Sequence, residues 1–172
     1  MVATVNPNTH QVLLTSIPRD YYVTLNGIGQ KDKLTHAGIY GIDTTIKTVE
    51  DLLDMEINYY VKVNFTSLID LVNALGGVDV YSDYTFTTTE NYSTSKRYRF
   101  TKGYNHVNGE EALAFARERK AFAAGDNQRV KNQQALLTAI IKKACSETII
   151  TKYSDILASL EGEFDTNMGS DK

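Results

Sequence analysis

The spacing of the apolar residues constrains the fold most, because it changes between two periods along the chain. Residues 59–65 alternate apolar and polar side chains, which is typical of a half-buried strand. Residues 34–53 instead carry apolar side chains every three or four positions, which predicts an amphipathic helix. Further helices are predicted over 66–75, 109–118, 126–146 and 151–160. Strands that alternate with helices predict a layered α/β or α+β domain.

Turn residues predict two hairpins. Residues 2–5 and 12–17 are apolar runs joined by Asn6-Pro7-Asn8-Thr9, a typical turn composition. Residues 97–101 and 104–107 flank Gly103 and are predicted to pair with each other as a second hairpin.

Composition limits the class of protein. The chain has 172 residues, 42% of them hydrophobic, so we predict one domain over 1–172 that folds without disulfides. The one cysteine, Cys145, lies among apolar residues and is predicted to be a buried core residue. The formal net charge of −3 counts against a nucleic-acid-binding protein, which usually carries a basic surface.

Arginine is the most informative residue type for function. Arg117, Arg119 and Arg129 fall within a short stretch of sequence. Within a helix, Arg117 and Arg119 would point about 200° apart, because each residue turns the chain by roughly 100°. Both can face one site only where the helix ends or the backbone straightens.

The residues around these arginines suggest a phosphate site. Asp126 stands at the predicted N-cap of the next helix, where backbone amides favour anions. Arg129 and Gln133 lie one turn apart on that helix, and Arg19 follows the first hairpin. Guanidinium groups bind phosphate oxygens in a bidentate manner. Asp20 and Asp126 could orient the arginines or reach a divalent cation that bridges phosphates.

A simpler interpretation stays open for the same residues. An Arg-Glu-Arg-Lys run is often a solvated helix face, and Asp126 alone is often a helix cap. The apolar positions Ile39, Val49, Leu136 and Ile140 are typical of an ordinary core, although a wall of a lipid tunnel would have the same composition. The sequence has no Walker loop, no Gly-x-Ser-x-Gly elbow and no zinc-protease histidine pair.

Five stretches, in order and spacing, resemble the LytR-CpsA-Psr family of bacterial cell-envelope proteins. They are Leu-Thr-Ser-Ile-Pro-Arg-Asp at 14–20, Lys-Leu-Thr-His-Ala-Gly-Ile-Tyr-Gly at 33–41, Val-Asn-Phe at 63–65 with Leu-Gly-Gly-Val-Asp-Val at 75–80, Val-Asn-Gly-Glu-Glu-Ala-Leu-Ala-Phe-Ala-Arg-Glu-Arg at 107–119, and Gly-Asp-Asn-Gln-Arg at 125–129 continuing to Gln133.

The resemblance implies a fold and an activity. The fold would be a three-layer α/β/α sandwich with a central mixed sheet and an apolar lipid tunnel. The activity would be a phosphotransferase that moves an anionic glycopolymer, teichoic acid or capsular polysaccharide, from a polyprenyl-pyrophosphate carrier to peptidoglycan. Such domains stand on the extracellular face of the cytoplasmic membrane, where an N-terminal helix anchors the parent protein.

The resemblance also implies residue roles. Arg19, Arg117, Arg119, Arg129 and Gln133 would bind pyrophosphate, and Arg117, Arg119 and Asp126 would act in catalysis. Mg²⁺ or Mn²⁺ would be the cofactor, with Asp126 as one ligand and the main acidic ligands upstream of Met1. The membrane anchor and a last helix are likewise expected outside this chain.

Two alternatives belong to other classes of function. One is a binding module that holds the lipid-linked polymer without chemistry. The other is a transcriptional attenuator, the label that the family has historically carried. The absence of a helix-turn-helix pattern and the negative net charge count against the attenuator.

Overall fold

Short antiparallel strand pairs alternate with helices, so the predicted α/β class is confirmed. The computed structural model describes residues 1–9, 11–89, 96–146, 149, 156 and 164–168. Backbone contacts divide the chain into two compact units, one of Met1–Tyr60 and Asn167–Lys172 and the other of Val61–Thr166. The prediction of a single domain over 1–172 stays a prediction.

The first unit contains two hairpins and two helical segments. Its elements are β1 (Val2–Asn6), β2 (Gln11–Thr15), β3 (Tyr22–Thr24), β4 (Lys31–Lys33), a 3-10 helix (Leu34–Tyr40) and α1 (Ile42–Leu53). The predicted first hairpin is confirmed, since β1 pairs with β2, and the Asn6 side chain accepts bonds from the backbone N–H groups of Asn8 and Thr9. The predicted single helix over 34–53 is interrupted at Gly41, whose φ is +109°.

The described residues of the second unit form three α-helices and six short strands. Its elements are β5 (Val61–Lys62), α2 (Phe65–Ala74), β6 (Val78–Ser82), β7 (Phe86–Thr87), β8 (Arg99–Phe100), β9 (Gly103–Val107), α3 (Gly109–Arg117), α4 (Asp126–Ala144) and β10 (Asp165–Thr166). The strands of the described residues pair two by two and antiparallel, rather than as one mixed sheet. Each of these strands has two to five residues, which is short for a large sheet. The apolar tunnel stays a prediction.

The predicted hairpin around Gly103 is wrong. β9 pairs with β6, with Val78 opposite Val107, and β8 pairs with β7, with Phe86 opposite Phe100. The Phe86 and Phe100 rings stack at 5.1 Å between centroids inside the core. Burial of these rings sends β8 and β9 to different partners.

The core of the second unit lies between the helices and one face of the β6–β9 pair. Val80 and Val107 are buried on this face, whereas Tyr81 and Tyr104 are exposed on the other. Because side chains alternate along a strand, this pair has one face in the core and one in solvent. The core is formed by Val72, Leu75, Val78, Val80, Phe86, Phe100, Val107, Ala112, Phe115, Ala116, Leu136, Ala139, Ile140 and Ile149.

The predictions for individual apolar residues have mixed outcomes. Leu136 and Ile140 are buried, as is Val49 in the first unit, whereas Ile39 is exposed. Ile39 belongs to the 3-10 helix, so its position relative to α1 differs from that in one continuous helix. Cys145 is exposed because α4 ends just before it, so its predicted burial is wrong. The helix predicted over 151–160 lies outside the described residues except for residue 156.

Gly109 allows α2 and α3 to approach closely. A Cβ at this position would overlap the backbone of Ile69, and the Gly109 N–H donates to the Asn73 side chain at 2.9 Å. We expect Gly109→Ala to lower the free energy of unfolding by about 1–3 kcal/mol, the cost of overpacking a tight contact. Gly38→Ala is the control, since no atom lies within 4 Å of its Cβ position. Equal effects of the two variants in urea unfolding would contradict the close-packing argument.

Candidate anion-binding site

The backbone straightens directly after α3, at the point where the arginines occur. α3 ends at Arg117, and Glu118 has extended dihedral angles, φ −62° and ψ 132°. Glu118 is buried, with only 4% of its surface exposed, and it separates Arg117, the last residue of α3, from the exposed Arg119. The predicted end of the helix between the arginines is confirmed.

The Glu118 carboxylate is fixed by donors from two segments. Its oxygens accept bonds from the backbone N–H groups of Thr89 at 2.6 Å and of Arg119 and Ala121 at 2.9 Å each. The Thr89 hydroxyl donates a further bond at 3.1 Å. Burial by itself would raise the pKa of Glu118, but these hydrogen bonds to the charged form together lower the pKa below its ordinary value.

Arg117 lies against an aromatic ring. Its guanidinium carbon is 4.3 Å from the centroid of the Phe65 ring, which is within cation–π range. Phe65 is the first residue of α2 and is 58% exposed. In the part of the chain that the structure describes, neither Arg117 nor Arg119 forms an ion pair. Their charges are available to an anion.

The first turn of α4 holds Arg129. The N-cap is Gly125, with φ +47°, which favours glycine, and it provides no side-chain cap. Asp126 is the first helical residue, so its predicted position as the N-cap is wrong. The Asp126 carboxylate accepts a bond from Arg129 Nη2 at 2.5 Å. Arg129 Nε is buried and has no partner among the described residues, which leaves an N–H donor available for a ligand.

Amide side chains of α4 hold the end of α3. Asn132 donates to the Phe115 carbonyl at 3.1 Å, and Gln133 donates to the Ala116 carbonyl at 3.4 Å. The last carbonyls of a helix have no partner within that helix, so these bonds satisfy them. Gln133 therefore lies beside the residue that precedes Arg117. Because Arg129 is one turn before Gln133 on the same face, the C-terminus of α3 and the N-terminus of α4 bring their arginines to one end of the unit.

Sequence reasoning missed three buried polar residues of this site. Gln128 and Asn132 are four residues apart on α4 and are joined by a 3.0 Å bond, and Glu118 completes the set. Two amides at this spacing on an otherwise apolar face were the available signal. Glu118 gave none, since it stands in a run of charged residues.

Arg19 belongs to the first unit, where it is exposed. Its Nε is 3.7 Å from Asp20, which also accepts a 3.0 Å bond from Lys33. The Lys33 bond is the largest cause that lowers the pKa of the Asp20 carboxyl. The predicted contribution of Arg19 to the pyrophosphate site stays a prediction.

The described residues contain neither a metal centre nor a membrane span. Nowhere among them do three His, Cys, Asp or Glu side chains come together as metal ligands. None of their helices has the length and apolar character needed to cross a bilayer.

Comparison with known proteins finds relatives of this chain among both curated sequences and solved structures. A curated relative from Bacillus cereus (strain AH820), "Polyisoprenyl-teichoic acid--peptidoglycan teichoic acid transferase TagU", is 40% identical over 173 residues, which cover 100% of this chain and 55% of the relative. The crystal structure of B. subtilis TagU is 39% identical with a TM-score of 0.78, over 98% of this chain and 71% of that chain. The structure "TagT bound to LI-WTA" is 36% identical with a TM-score of 0.66, over 90% of this chain and 56% of that chain.

The fold is mixed α/β, and its second unit carries Arg117, Arg119 and Arg129 at the facing ends of α3 and α4. Residues 1–172 match the LytR_cpsA_psr family, and the chain belongs to that family. The resemblance described from the sequence is therefore confirmed. The chain spans about half the length of the curated relatives that it matches.

The lowered pKa of Glu118 predicts a loss of stability in acid. A carboxyl whose pKa is lower in the folded state stabilises the fold above its unfolded pKa, and this contribution disappears as the pH falls through the folded value. The ordinary pKa is 4.5, so the difference in unfolding free energy between wild type and Glu118→Gln should shrink below that pH. Urea unfolding from pH 7 to pH 3 measures this difference. A difference independent of pH would contradict the assigned bonds.

The contact between Phe65 and Arg117 predicts a measurable coupling. In a double-mutant cycle with Phe65→Leu and Arg117→Ala, we expect a coupling energy of about 0.5–1 kcal/mol, the range for exposed cation–π pairs. Urea unfolding of the four proteins measures it. The same cycle with Arg99→Ala in place of Arg117→Ala is the control, and equal coupling in both cycles would rule out a specific contact.

Proposed function

We propose that this chain carries the transfer site of a cell-envelope phosphotransferase. Its donor is an anionic glycopolymer, teichoic acid or capsular polysaccharide, on a polyprenyl-pyrophosphate carrier, and its acceptor is peptidoglycan. The observation that carries the proposal is the buried, unpartnered Nε of Arg129 at the same end of the unit as Arg117 and Arg119. A buried donor left without a partner costs about 1–3 kcal/mol, which a phosphate oxygen would offset. The names of the relatives, which specify teichoic acid and peptidoglycan, support this polymer and this acceptor.

In this proposal the arginines bind the pyrophosphate and stabilise the charge that develops during transfer. Arg117 and Arg119 donate to phosphate oxygens from the straightened segment, and Arg129 donates through Nε from the first turn of α4. The acceptor hydroxyl attacks the phosphorus that carries the polymer, and a new phosphodiester bond forms as the bond to the bridging oxygen breaks. Polyprenyl phosphate leaves with that oxygen, and the hydroxyl proton passes to solvent. Guanidinium groups placed in advance at such a centre lower the barrier electrostatically.

The proposed cofactor is Mg²⁺ or Mn²⁺. Mg²⁺ typically binds one or two carboxylates together with substrate phosphates, so a single Asp126 suits it only when the donor supplies further oxygens. When bound, the ion would neutralise phosphate charge. Asp126 also pairs with Arg129, which links the proposed metal ligand to a residue proposed to bind the pyrophosphate. We propose that the parent protein acts on the outer face of the cytoplasmic membrane, where its donor and acceptor meet.

Loss of a single arginine should weaken pyrophosphate binding. We expect Arg117→Ala and Arg129→Ala each to reduce the affinity for farnesyl pyrophosphate by about 1.5–3 kcal/mol, the range for hydrogen bonds to charged groups. Isothermal calorimetry with and without Mg²⁺ measures this. Lys131→Ala is the matched control, because it removes the same charge from the opposite side of α4.

Wild-type affinity in both arginine variants would refute the site. A second assay supplies lipid-linked polymer and peptidoglycan and measures release of polyprenyl phosphate. Binding without release would identify a binding module in place of an enzyme.

A further inference from the structure

We propose that Glu118 is a positioning residue of the anion site, a role that rests on the proposed function of that site. It is the one residue between Arg117 and Arg119, and the backbone leaves the helical conformation there. Its own side chain is buried. The backbone from which the Arg119 side chain begins, directly after Arg117, thus depends on how the carboxylate is held.

The carboxylate holds the backbone on both sides of the second arginine. Through Oε1, Glu118 accepts bonds from the N–H groups of Arg119 and Ala121. These bonds form a short turn that fixes where the Arg119 side chain begins. Without an acceptor for these two N–H groups, the segment after α3 would lose its defined conformation.

The same carboxylate ties this segment to the β7–β8 pair. Oε2 accepts from the N–H and hydroxyl of Thr89. The neighbouring Thr88 exchanges bonds with Tyr98, as its N–H donates to the Tyr98 carbonyl at 2.8 Å and its hydroxyl accepts from the Tyr98 N–H at 2.9 Å. Phe122 adds a second tie, since its ring meets Phe86 edge-on at 4.6 Å. The segment from Arg117 to Phe122 is therefore joined to the β7–β8 pair by hydrogen bonds and by an aromatic contact.

Neutral donors also prevent Glu118 from competing for the arginines. A carboxylate flanked by two guanidiniums would ordinarily pair with them, which would block an anion site. Here the acceptor positions of Glu118 are occupied by backbone N–H groups and a hydroxyl. The buried negative charge lowers the repulsion between the arginines, while both guanidiniums remain available to a ligand.

The test compares Glu118→Gln with Glu110→Gln in the full 172-residue chain. Glu110 lies in the first turn of α3 and is exposed, so its substitution makes the same change of charge at the end of the helix remote from Arg117. In Glu118→Gln, an NH2 group replaces one carboxylate oxygen and faces N–H donors, so it cannot accept their hydrogen bonds. We expect affinity for inorganic pyrophosphate to fall by roughly 10- to 100-fold, the range for loss of an outer carboxylate that orients a ligand-binding group. Glu110→Gln should bind as wild type does.

Amide hydrogen exchange gives a second, ligand-free measurement. We expect faster exchange in Glu118→Gln at Thr89 or at Arg119 and Ala121, with unchanged exchange at Leu136 in α4. Wild-type affinity together with wild-type exchange would overturn the proposal, as would faster exchange with wild-type affinity. If wild type itself fails to bind pyrophosphate, the proposed function fails, and the exchange data still decide whether Glu118 holds the segment.

The shorter variant Glu118→Asp decides the matter if Glu118→Gln does not fold. It keeps the charge and can accept from Arg119 and Ala121, but it cannot reach Thr89 at the same time. The proposal requires weaker pyrophosphate binding and faster exchange at Thr89 in this variant. Unchanged binding would overturn it.

Discussion

The end of α3 depends on hydrogen bonds from a neighbouring helix. The carbonyls of Phe115 and Ala116 accept hydrogen bonds from the side chains of Asn132 and Gln133. These carbonyls are therefore satisfied without a further turn of α3. A helix end without such partners would bury unsatisfied carbonyls. Because α4 supplies the donors, the chain can leave the helix at Arg117 and become extended at Glu118. These bonds between α3 and α4 therefore set the point at which the chain leaves the helix between the two arginines.

Positive charges gathered at one place repel one another, and the fold offsets this repulsion in different ways for each arginine. Arg117 lies over the electron-rich face of Phe65, and Arg129 pairs with Asp126 through Nη2. Glu118 supplies a buried negative charge between Arg117 and Arg119 and pairs with neither guanidinium. Each of these interactions leaves N–H groups of the guanidiniums without a protein partner among the described residues. The cluster is thus stabilised while its N–H donors remain available to an anion.

Much of the fold and part of the site could be predicted from the sequence. Arg117 and Arg119 are two residues apart, so they could serve one site only if the helix ended or the backbone straightened near them. The turn residues at 6–9 correctly predicted the first hairpin. The burial of Glu118 could not be predicted, because it depends on Thr89, which lies 29 residues earlier. The same limitation explains the wrong hairpin at Gly103. Local spacing favoured pairing of β8 with β9, but burial of Phe100 against Phe86 decided the partners.

The turn after α3 constrains the length of this segment more strictly than its composition. The Glu118 carboxylate accepts bonds from the N–H groups one and three residues after it, those of Arg119 and Ala121. A residue inserted between Glu118 and Ala121 would move one of these N–H groups away from the carboxylate. Substitutions at exposed Lys120 keep the spacing. Natural variation in this segment is therefore expected to exchange residues at constant length, whereas insertions and deletions should be confined to other loops.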